Sequence, residues 1–344
     1  MRKFGDTTVL VYGGAGFIGS NFIRYLLHVS PKTNIVCVDA LTYAGNKDNL
    51  KGLPKERFTF IKGDITDAAH MARVVVRYAP VYVINFAAES HVDRSIHGGS
   101  CDFVRTNVEG TTVLLEAMRK APKLKKFVHV STDEVYGALP LKGGKKFTEN
   151  SSLAPNSPYA ASKAASDLVA RSFFKTYNVP VVTTRCSNNY GPYQYPEKLI
   201  PYSISRLLDD KPIAIYGDGQ YVRDWIHVED HCDALWRVLT KGVPGETYNI
   251  GADDEVSNLT LARWLLAYFK KDESAIAFIK DRPGHDRRYA IDASKIRKEL
   301  GWRPKYSLRT SFETTILWYV PNTYWSKRAL ARSGVANPHI RAKP

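Results

Sequence analysis

Residues 7 to 19 have the sequence TTVLVYGGAGFIG. An apolar run typical of a strand ends at Tyr12, a glycine-rich turn follows, and residues 22 to 28 have the pattern of an amphipathic helix. The glycines of the turn are Gly13, Gly16 and Gly19. Glycines let a backbone approach a pyrophosphate, and the start of a helix offers free N–H groups and a positive dipole end. The stretch therefore predicts a dinucleotide-binding strand, turn and helix.

A second apolar run supports this prediction. Residues 34 to 39, NIVCVD, predict a strand that ends in Asp39, 20 residues after Gly19 (39 − 19). An acidic side chain at this distance binds the adenosine ribose hydroxyls of a dinucleotide. Asp39 would repel a 2′-phosphate, and no arginine stands beside it, so the sequence favours NAD over NADP as the cofactor.

Strands and helices continue to alternate after Asp39. Strands are predicted at residues 58 to 61, 82 to 88, 127 to 130 and 179 to 185, and helices at 68 to 78, 107 to 120 and 158 to 177. This alternation is typical of a parallel sheet that is covered by helices on both faces. The predicted fold class is α/β, with a Rossmann-type doubly wound parallel sheet.

The composition changes after residue 186. The next segment is rich in Asn, Pro and Tyr, and beyond it short strands mix with helices. We therefore predict an NAD-binding domain over residues 1 to 186 and a smaller mixed α/β C-terminal lobe for the substrate over residues 187 to 325, with segments that can interleave. Residues 326 to 344 contain five basic residues and no acid, which predicts a loosely ordered basic tail.

Two adjacent carboxylates follow the predicted strand at residues 127 to 130. The polar residues at its end are Ser131, Thr132, Asp133 and Glu134. Open α/β sheets bind ligands beyond the carboxyl ends of their strands. Two adjacent acids in a partly dry cleft repel each other, so one tends to keep its proton while the other ionises. The pair predicts a general acid and a general base, and the alternative is a solvated turn.

A tyrosine and a lysine lie on the helix predicted over residues 158 to 177. Ser157 is suited to the N-cap and Pro158 to the first helical position, so Tyr159 and Lys163 lie one turn apart on one face. A nearby ammonium favours the phenolate and lowers a tyrosine pKa, which makes Tyr159 a candidate base. A surface tyrosine beside a surface lysine is the common alternative.

Composition and charge exclude several classes of protein. No run of roughly 18 apolar residues is present and no apolar segment precedes the first strand, so we expect no membrane span, no secretory signal and a cytoplasmic protein. The four cysteines form no C-x-x-C, so no metal site is expected. The net charge of +15 suits a diphosphate substrate, and no nucleic-acid motif accompanies it.

Motifs distributed over residues 9 to 319 resemble those of the extended short-chain dehydrogenases, and closely those of the dTDP-glucose 4,6-dehydratases. They are VYGGAGFIGS, LTYAGN, FAAESHVDRS, STDEVYG, SPYAASKA, RCSNNYGPYQYPEKLIP, IYGDGQYVRDWIHVEDH, YNIG and DRPGHDRRYAID. The glycine turn and Tyr-x-x-x-Lys mark the superfamily. The adjacent Asp133 and Glu134 distinguish the dehydratases from related sugar-nucleotide epimerases and decarboxylases.

The resemblance implies roles for individual residues. The implied NAD site comprises the three glycines with Phe17, Ile18, Asp39, Asp64, Ile65, Ala87, Ala88, Thr106, Tyr159, Lys163 and Asn189. The implied nucleotide-sugar site comprises Ser90, Thr132, Asn188, Lys198, Leu199, Tyr216, Arg223, Asn258, Arg282 and His285. The implied catalytic residues are Thr132, Asp133, Glu134, Tyr159 and Lys163. Arg223 and Arg282 also suit a diphosphate chemically, because guanidinium groups bind phosphate oxygens in pairs.

Three residues depart from the family pattern. Tyr12 replaces a small hydroxyl residue before the glycines, and Ala40 replaces a lysine beside the ribose acid. These two changes would weaken NAD binding modestly. Ala214 replaces a proline near the nucleotide base, so the choice between thymine and uracil stays open.

The residues fit dehydration of a nucleoside-diphosphate glucose to a 4-keto-6-deoxy sugar. Tyr159 would take the 4-hydroxyl proton while the hydride of carbon 4 passes to NAD, and the new ketone would acidify carbon 5. Glu134 would then remove the carbon 5 proton while Asp133 protonates the departing 6-hydroxyl, after which the hydride returns to carbon 6. Thr132 would donate a hydrogen bond to the oxygen on carbon 4.

Three alternative functions remain at this point. A UDP-glucose 4,6-dehydratase would differ only in the nucleotide, and a UDP-sugar 4-epimerase would share the first step but has no need of two carboxylates. A catalytically silent binding or scaffolding protein would have lost at least one catalytic side chain, and all five are present.

The helices predicted at residues 107 to 120 and 158 to 177 carry apolar side chains on more than one face. Examples are Val113, Leu114, Leu168 and Phe173. Such helices suit a four-helix bundle between two copies, so we expect a homodimer, as the resemblance also implies. The alternative is that the second lobe covers these faces.

Overall fold

A computed structural model describes residues 7 to 333. The strands of this part of the chain are β1 (Thr8–Tyr12), β2 (Asn34–Asp39), β3 (Phe58–Lys62), β4 (Tyr82–Asn85), β5 (Lys126–Thr132), β6 (Val181–Cys186), β7 (Asn188–Tyr190), β8 (Ile213–Tyr216), β9 (Val222–His227), β10 (Thr247–Ile250), β11 (Glu255–Ser257) and β12 (Ile276–Ile279). Seven of them form one fully parallel sheet in the order β10-β6-β5-β4-β1-β2-β3. This sheet is the predicted doubly wound α/β core.

Twelve α-helices form in the same part of the chain. They are α1 (Phe17–Val29), α2 (Ala68–Tyr78), α3 (Val92–His97), α4 (Cys101–Phe103), α5 (Gly110–Met118), α6 (Pro158–Tyr177), α7 (Leu199–Leu208), α8 (Val228–Lys241), α9 (Asn258–Phe269), α10 (Ser294–Leu300), α11 (Leu308–Tyr319) and α12 (Thr323–Ser333). Among residues 7 to 333, none is both long and apolar enough to cross a membrane.

The strands of the large sheet are buried on both faces. In β1, Val9 belongs to the core that α1, α8 and α10 cover, whereas the next residue, Leu10, belongs to the core under α2, α5 and α6. Side chains of a strand alternate between the two faces, so both sets must be apolar. Each fully buried aliphatic side chain contributes roughly 1.5 to 3 kcal/mol of transfer free energy.

The chain leaves the large sheet after β6 and later returns to it. Strand β10 pairs with β6, and α8 packs on α1. Both β10 and α8 come from residues 187 to 325, whereas β6 and α1 precede residue 187. The remaining elements form a three-stranded sheet, β11-β9-β7, a two-stranded sheet, β12-β8, and a separate core with α7, α9 and α11. The segments therefore interleave in space, while the division into lobes at residue 186 stays a prediction.

Of two helices predicted from the sequence, one has the predicted bounds and the other does not. Helix α6 has the predicted bounds: the Ser157 hydroxyl accepts a hydrogen bond from the N–H of Ala160 at 3.1 Å, and Pro158 is the first helical residue. The helix predicted at residues 107 to 120 begins earlier. A π-helical segment, Val104–Glu109, joins α4 to α5. Such segments often occur at functional sites, and Thr106 lies in this one.

The expected loose tail is wrong for residues 326 to 333, which belong to α12. The ring of Trp325 contacts Trp318 with centroids 5.3 Å apart, and its indole N–H donates to Asn49 Oδ1 at 2.9 Å. The basic side chains of Lys327 and Arg328 reach acids from distant parts of the chain. Aromatic packing therefore holds this segment in a helix, although its basic charge indicated a loose tail. The rest of the predicted tail, from residue 334, lies outside the described residues.

Candidate active site

Two cavities meet beyond the carboxyl edge of the large sheet. The larger has a volume of about 310 Å³ and lies against the ends of β1, β2, β4, β5 and β6, and the smaller has a volume of about 180 Å³ and lies beside the second lobe. The residues that line both are Ser90, Glu134, Asn188, Glu197 and Lys198. One of the two predicted catalytic carboxylates, Glu134, therefore lies at their junction.

The structure brings the predicted site residues together. All predicted cofactor residues and all five predicted catalytic residues line the larger cavity: Gly13, Gly16, Phe17, Ile18, Gly19, Asp39, Asp64, Ile65, Ala87, Ala88, Thr106, Thr132, Asp133, Glu134, Tyr159, Lys163 and Asn189. The predicted substrate residues other than Thr132 line the smaller cavity: Ser90, Asn188, Lys198, Leu199, Tyr216, Arg223, Asn258, Arg282 and His285. Their roles stay predictions.

The glycine turn between β1 and α1 suits a dinucleotide. Gly13 has φ +73°, and a Cβ there would lie 2.5 Å from the backbone N of Ala87 at the end of β4. Gly16 is the N-cap of α1, where no side chain caps the helix and no acid occupies the first turn. The N–H groups of that turn border the cavity and remain available to an anionic pyrophosphate.

Asp39 is fixed beneath this turn. Its Oδ2 accepts a hydrogen bond from the N–H of Ala15, and its Oδ1 accepts one from the N–H of Leu41, both at 2.8 Å. Burial raises the pKa of Asp39, and these two hydrogen bonds oppose the rise. A carboxylate oxygen has a second lone pair, so Asp39 retains the capacity to accept ribose hydroxyls.

Asp133 is enclosed at the end of β5. Its Oδ1 accepts a long hydrogen bond of 3.4 Å from the Thr132 hydroxyl, and its Oδ2 has no hydrogen-bond partner among residues 7 to 333. Burial, followed by the charges of Glu134 and Asp224, raises the pKa of Asp133 well above its ordinary value. These effects favour the protonated form of the carboxyl group, as a general acid requires.

Glu134 has a different electrostatic environment. Burial raises the pKa of Glu134 above its ordinary value, and the charges of Arg282, Arg223 and Lys198 oppose this rise. Three cations close to one carboxyl group favour its ionised form. Of the two acids, Glu134 is therefore the one suited to remove a proton.

Tyr159 and Lys163 are both buried in the larger cavity. The Lys163 ammonium donates to the carbonyl of Val130 at 2.8 Å, and burial lowers the pKa of Lys163 to about 8. The pKa of Tyr159 is raised well above its ordinary value by burial and then by Glu134, while a hydrogen bond with Thr132 lowers it. The expected fall of this pKa beside Lys163 is therefore wrong for the protein alone, because burial and the charge of Glu134 raise it.

The smaller cavity is suited to an anion. Lys198 Nζ donates to the carbonyl of Ser90 at 3.0 Å, and the guanidinium of Arg223 lies 4.3 Å from the ring centroid of Tyr289. The Nε of Arg282 is buried and has no hydrogen-bond partner among residues 7 to 333. Helix α7 also begins here at Leu199 without a side-chain cap. A diphosphate matches this set, which comprises the free N–H donor of Arg282, three cations and the start of a helix.

Two acidic residues near the site were missed from the sequence. Glu197 lines both cavities, and burial raises its pKa to about 7. Its position beside Lys198 in the Asn-, Pro- and Tyr-rich segment was the available signal. Asp167 is buried one helical turn beyond Lys163. Asp167 follows Lys163 by four residues, as Lys163 follows Tyr159, and this repeated spacing was the available signal in the sequence.

The three departures from the family pattern lie in different places. Tyr12 is fully buried in the core beneath α2 and α5 and is not among the residues that line the larger cavity. Ala40 lines the larger cavity, and Ala214 lines the smaller one. Only the alanines can therefore act on a bound molecule directly.

Comparison with known proteins identifies the family. A family model described as GDP-mannose 4,6 dehydratase matches residues 10 to 315. The dTDP-glucose 4,6-dehydratase of Xanthomonas campestris pv. campestris (strain B100) is 51% identical over 94% of this chain and 96% of the relative. The chain belongs to the dTDP-glucose 4,6-dehydratase family.

Solved structures agree with this family assignment. A dTDP-glucose 4,6-dehydratase from Streptomyces venezuelae with NAD bound has a TM-score of 0.89 and 47% identity, covering 94% of this chain and 100% of that chain. A UDP-glucose 4-epimerase from Thermotoga maritima has a TM-score of 0.84 and 29% identity, covering 92% of this chain and 100% of that chain. The fold is common to both activities, and the dehydratase family has the higher identity.

Proposed function

We propose that this protein is a hydro-lyase that converts dTDP-glucose to the 4-keto-6-deoxy sugar with NAD as a recycled cofactor. One observation carries the proposal: two adjacent carboxyl groups with unlike environments lie where the two cavities meet. Asp133 is enclosed and keeps its proton, whereas Glu134 faces three cations. Only a reaction that gives a proton to one atom and takes one from another needs both groups.

The larger cavity suits NAD. The turn from Gly13 to Gly19, the uncapped start of α1 and the carboxylate of Asp39 would hold its pyrophosphate and adenosine ribose, and Tyr159 and Lys163 would lie beside its reactive part. When bound, NAD accepts the hydride of carbon 4 and returns a hydride to carbon 6. The protein supplies orientation and proton transfers around that chemistry.

Tyr159 removes the proton of the 4-hydroxyl, and the Thr132 hydroxyl stabilises the oxygen that loses it. The pKa of Tyr159 is raised by burial, so the phenolate needs the nearby ammonium of Lys163 and the positive charge that a nicotinamide brings. The ketone at carbon 4 makes the carbon 5 hydrogen acidic. Glu134 takes that proton, and Asp133 gives one to the departing 6-hydroxyl, which leaves as water. Carbon 5 regains a proton when the hydride returns to carbon 6.

The smaller cavity would hold the nucleotide. Lys198, Arg223 and Arg282 would neutralise the diphosphate, with the start of α7 as a fourth donor group. The relatives' names support dTDP-glucose as the substrate. UDP-glucose is the alternative because Ala214 lines this cavity in place of the family's proline, and 4-epimerisation of a UDP-sugar is less suited because it leaves the carboxyl pair unused.

We also propose that the protein is a cytoplasmic homodimer. Val104, at the start of the π-helical segment, and Leu168 of α6 are 54% and 59% exposed, while Leu114 and Phe173 are buried within one copy. Apolar side chains with this much exposure on two neighbouring helices suit a bundle with the same two helices of a second copy.

The proposed function is tested by incubating the purified protein with dTDP-glucose and UDP-glucose side by side. We expect loss of water from dTDP-glucose to give a 4-keto-6-deoxy product, without net formation of reduced nicotinamide. Faster turnover of UDP-glucose would change the assigned nucleotide. A 4-epimer, or reduced nicotinamide in proportion to product, would overturn the dehydratase assignment.

A further inference from the structure

A buried ion-pair network lies beneath the catalytic face of α6. Asp167, one turn beyond Lys163, accepts a hydrogen bond through Oδ2 from Arg185 Nε at 2.8 Å, and its Oδ1 lies 3.3 Å from His129 Nε2. All four side chains are buried. Three parts of the fold, α6, β5 and β6, therefore meet at one carboxylate directly behind the candidate active site.

The network is fixed on its far side as well. Arg185 Nη1 donates to the Tyr136 hydroxyl at 2.9 Å, and that hydroxyl donates to Asn249 Oδ1 of β10 at 2.8 Å. His129 Nε2 lies 3.1 Å from the Ser166 hydroxyl, which donates to the carbonyl of Lys163. Such a network gives Asp167 little freedom to move away from the lysine.

Asp167 is the carboxylate of this network. Burial acts to raise its pKa, but the contact with His129 and the charges of Arg185 and Lys163 outweigh burial and hold the pKa below its ordinary value. His129 stays neutral because burial and then Lys163 lower its pKa. The centre thus combines one carboxylate with two cations.

Titratable groups from three elements interact with Lys163. They are Asp167 of α6, His129 of β5 and Cys186 of β6, and Tyr159 lies one turn before the lysine on α6. Cys186 keeps its proton because burial raises its pKa to about 12. Asp167 is therefore the group in this set that holds a negative charge beside the lysine.

We propose that Asp167 is a positioning residue for the first step of the reaction, and that its carboxylate, fixed by Arg185 and His129, keeps the Lys163 ammonium charged and directed to the Val130 carbonyl at the cavity. This inference rests on the proposed function. Burial brings the pKa of Lys163 down to about 8, and attraction to Asp167 opposes that fall. Without the carboxylate, the ammonium would lose its proton near neutral pH and could no longer favour the Tyr159 phenolate.

The direct test replaces Asp167 by Asn, which keeps the shape and removes the charge. An opposite charge at close range shifts a pKa by about one unit or more, so Lys163 should titrate at least about one pH unit lower in Asp167→Asn. The first readout needs no turnover: carbon-13 NMR of protein labelled at the lysine Cε, with the Lys163 signal assigned by Lys163→Arg. The second is the alkaline limb of the pH profile of hydride transfer, which should move down by the same amount.

Two further variants separate this role from simple support of the fold. Asp167→Asn leaves Arg185 buried without its partner, so the double variant Asp167→Asn with Arg185→Gln removes both charges and relieves that strain. Asp167→Glu retains the carboxylate. We expect the double variant to recover thermal stability and its Lys163 to titrate at lower pH than in Arg185→Gln alone, and Asp167→Glu to restore the pKa toward its native value.

The inference is overturned if Lys163 titrates at the same pH in the double variant as in Arg185→Gln alone, whatever their stability. Failure of the proposed function is a separate result. It would appear as an absence of turnover of nucleoside-diphosphate glucose by the native protein, while the NMR titration of Lys163 would still report on Asp167.

Discussion

Asp133 and Glu134 are consecutive residues, yet one carboxyl group is enclosed with an oxygen that has no hydrogen-bond partner among residues 7 to 333, and the other borders both cavities. The charges of Glu134 and Asp224 raise the pKa of Asp133 and the charge of Arg223 lowers it, whereas Arg282, Arg223 and Lys198 all lower the pKa of Glu134. The environment, rather than the residue type, therefore assigns the acid and the base.

Thr132→Val should slow the first hydride transfer and shift its acid limb to higher pH. A hydrogen bond with Thr132 lowers the pKa of Tyr159, so its loss raises that pKa, and a base with a higher pKa is deprotonated only at higher pH. Thr132→Ser keeps the hydroxyl and is the matched control. Stopped-flow measurement of reduced nicotinamide between pH 6 and 9, roughly the range around a neutral optimum, gives the acid limb. Identical acid limbs for Thr132→Val and the native protein would contradict this role of Thr132.

Gly13→Ala should weaken NAD binding at least about tenfold and lower the melting temperature. Gly52→Ala is a matched control because the two glycines have similar dihedral angles, φ +73° and +78°. Both substitutions carry the left-handed strain of about 1 to 2 kcal/mol. Only Gly13 adds a clash, with a Cβ 2.5 Å from the backbone of Ala87, whereas nothing lies within 4 Å of a Cβ at Gly52. Equal effects in calorimetric titration with NAD would show that the close approach is unimportant.

Leu168→Lys should convert the proposed dimer to monomers at micromolar concentration, because the change places a charge in an apolar helix contact. Leu317→Lys is the control: Leu317 of α11 is similarly exposed, 53% against 59%, but lies outside the proposed bundle. Light scattering gives the mass of each protein. An unchanged mass in Leu168→Lys would place the dimer contact elsewhere on the protein. A monomeric native protein would show that no such contact forms.

Local signals in the sequence were sufficient where structure is decided locally. The bounds of α6 follow from the Ser157 cap and Pro158, and the end of β2 at Asp39 follows from the apolar run before it. The glycine turn and the acid pair were located for the same reason. Each of these features depends on residues only a few positions apart.

Features that depend on residues far apart in the sequence could not be predicted from local signals. The spacing of Tyr159 and Lys163 predicts that they are neighbours but not that burial raises the pKa of one and lowers that of the other. The partners of Asp167 come from β5 and β6, and α12 is ordered by an aromatic contact with α11 and a hydrogen bond to Asn49. These interactions exist only once the chain has folded.

The division of labour between Asp133 and Glu134 is tested most directly by mixing variants with dTDP-glucose and following nicotinamide absorbance together with water loss. Asp133→Asn preserves shape but removes the proton donor, and general acid catalysis is worth about 100- to 10,000-fold. Oxidation at carbon 4 depends on Tyr159, so we expect Asp133→Asn and Glu134→Gln to accumulate reduced nicotinamide with a 4-keto glucose while water loss slows by that factor. Glu134→Gln alone should also slow exchange of the carbon 5 hydrogen with solvent. If both variants instead lose hydride transfer to the same degree as Tyr159→Phe, the pair does not act as the acid and base of the elimination.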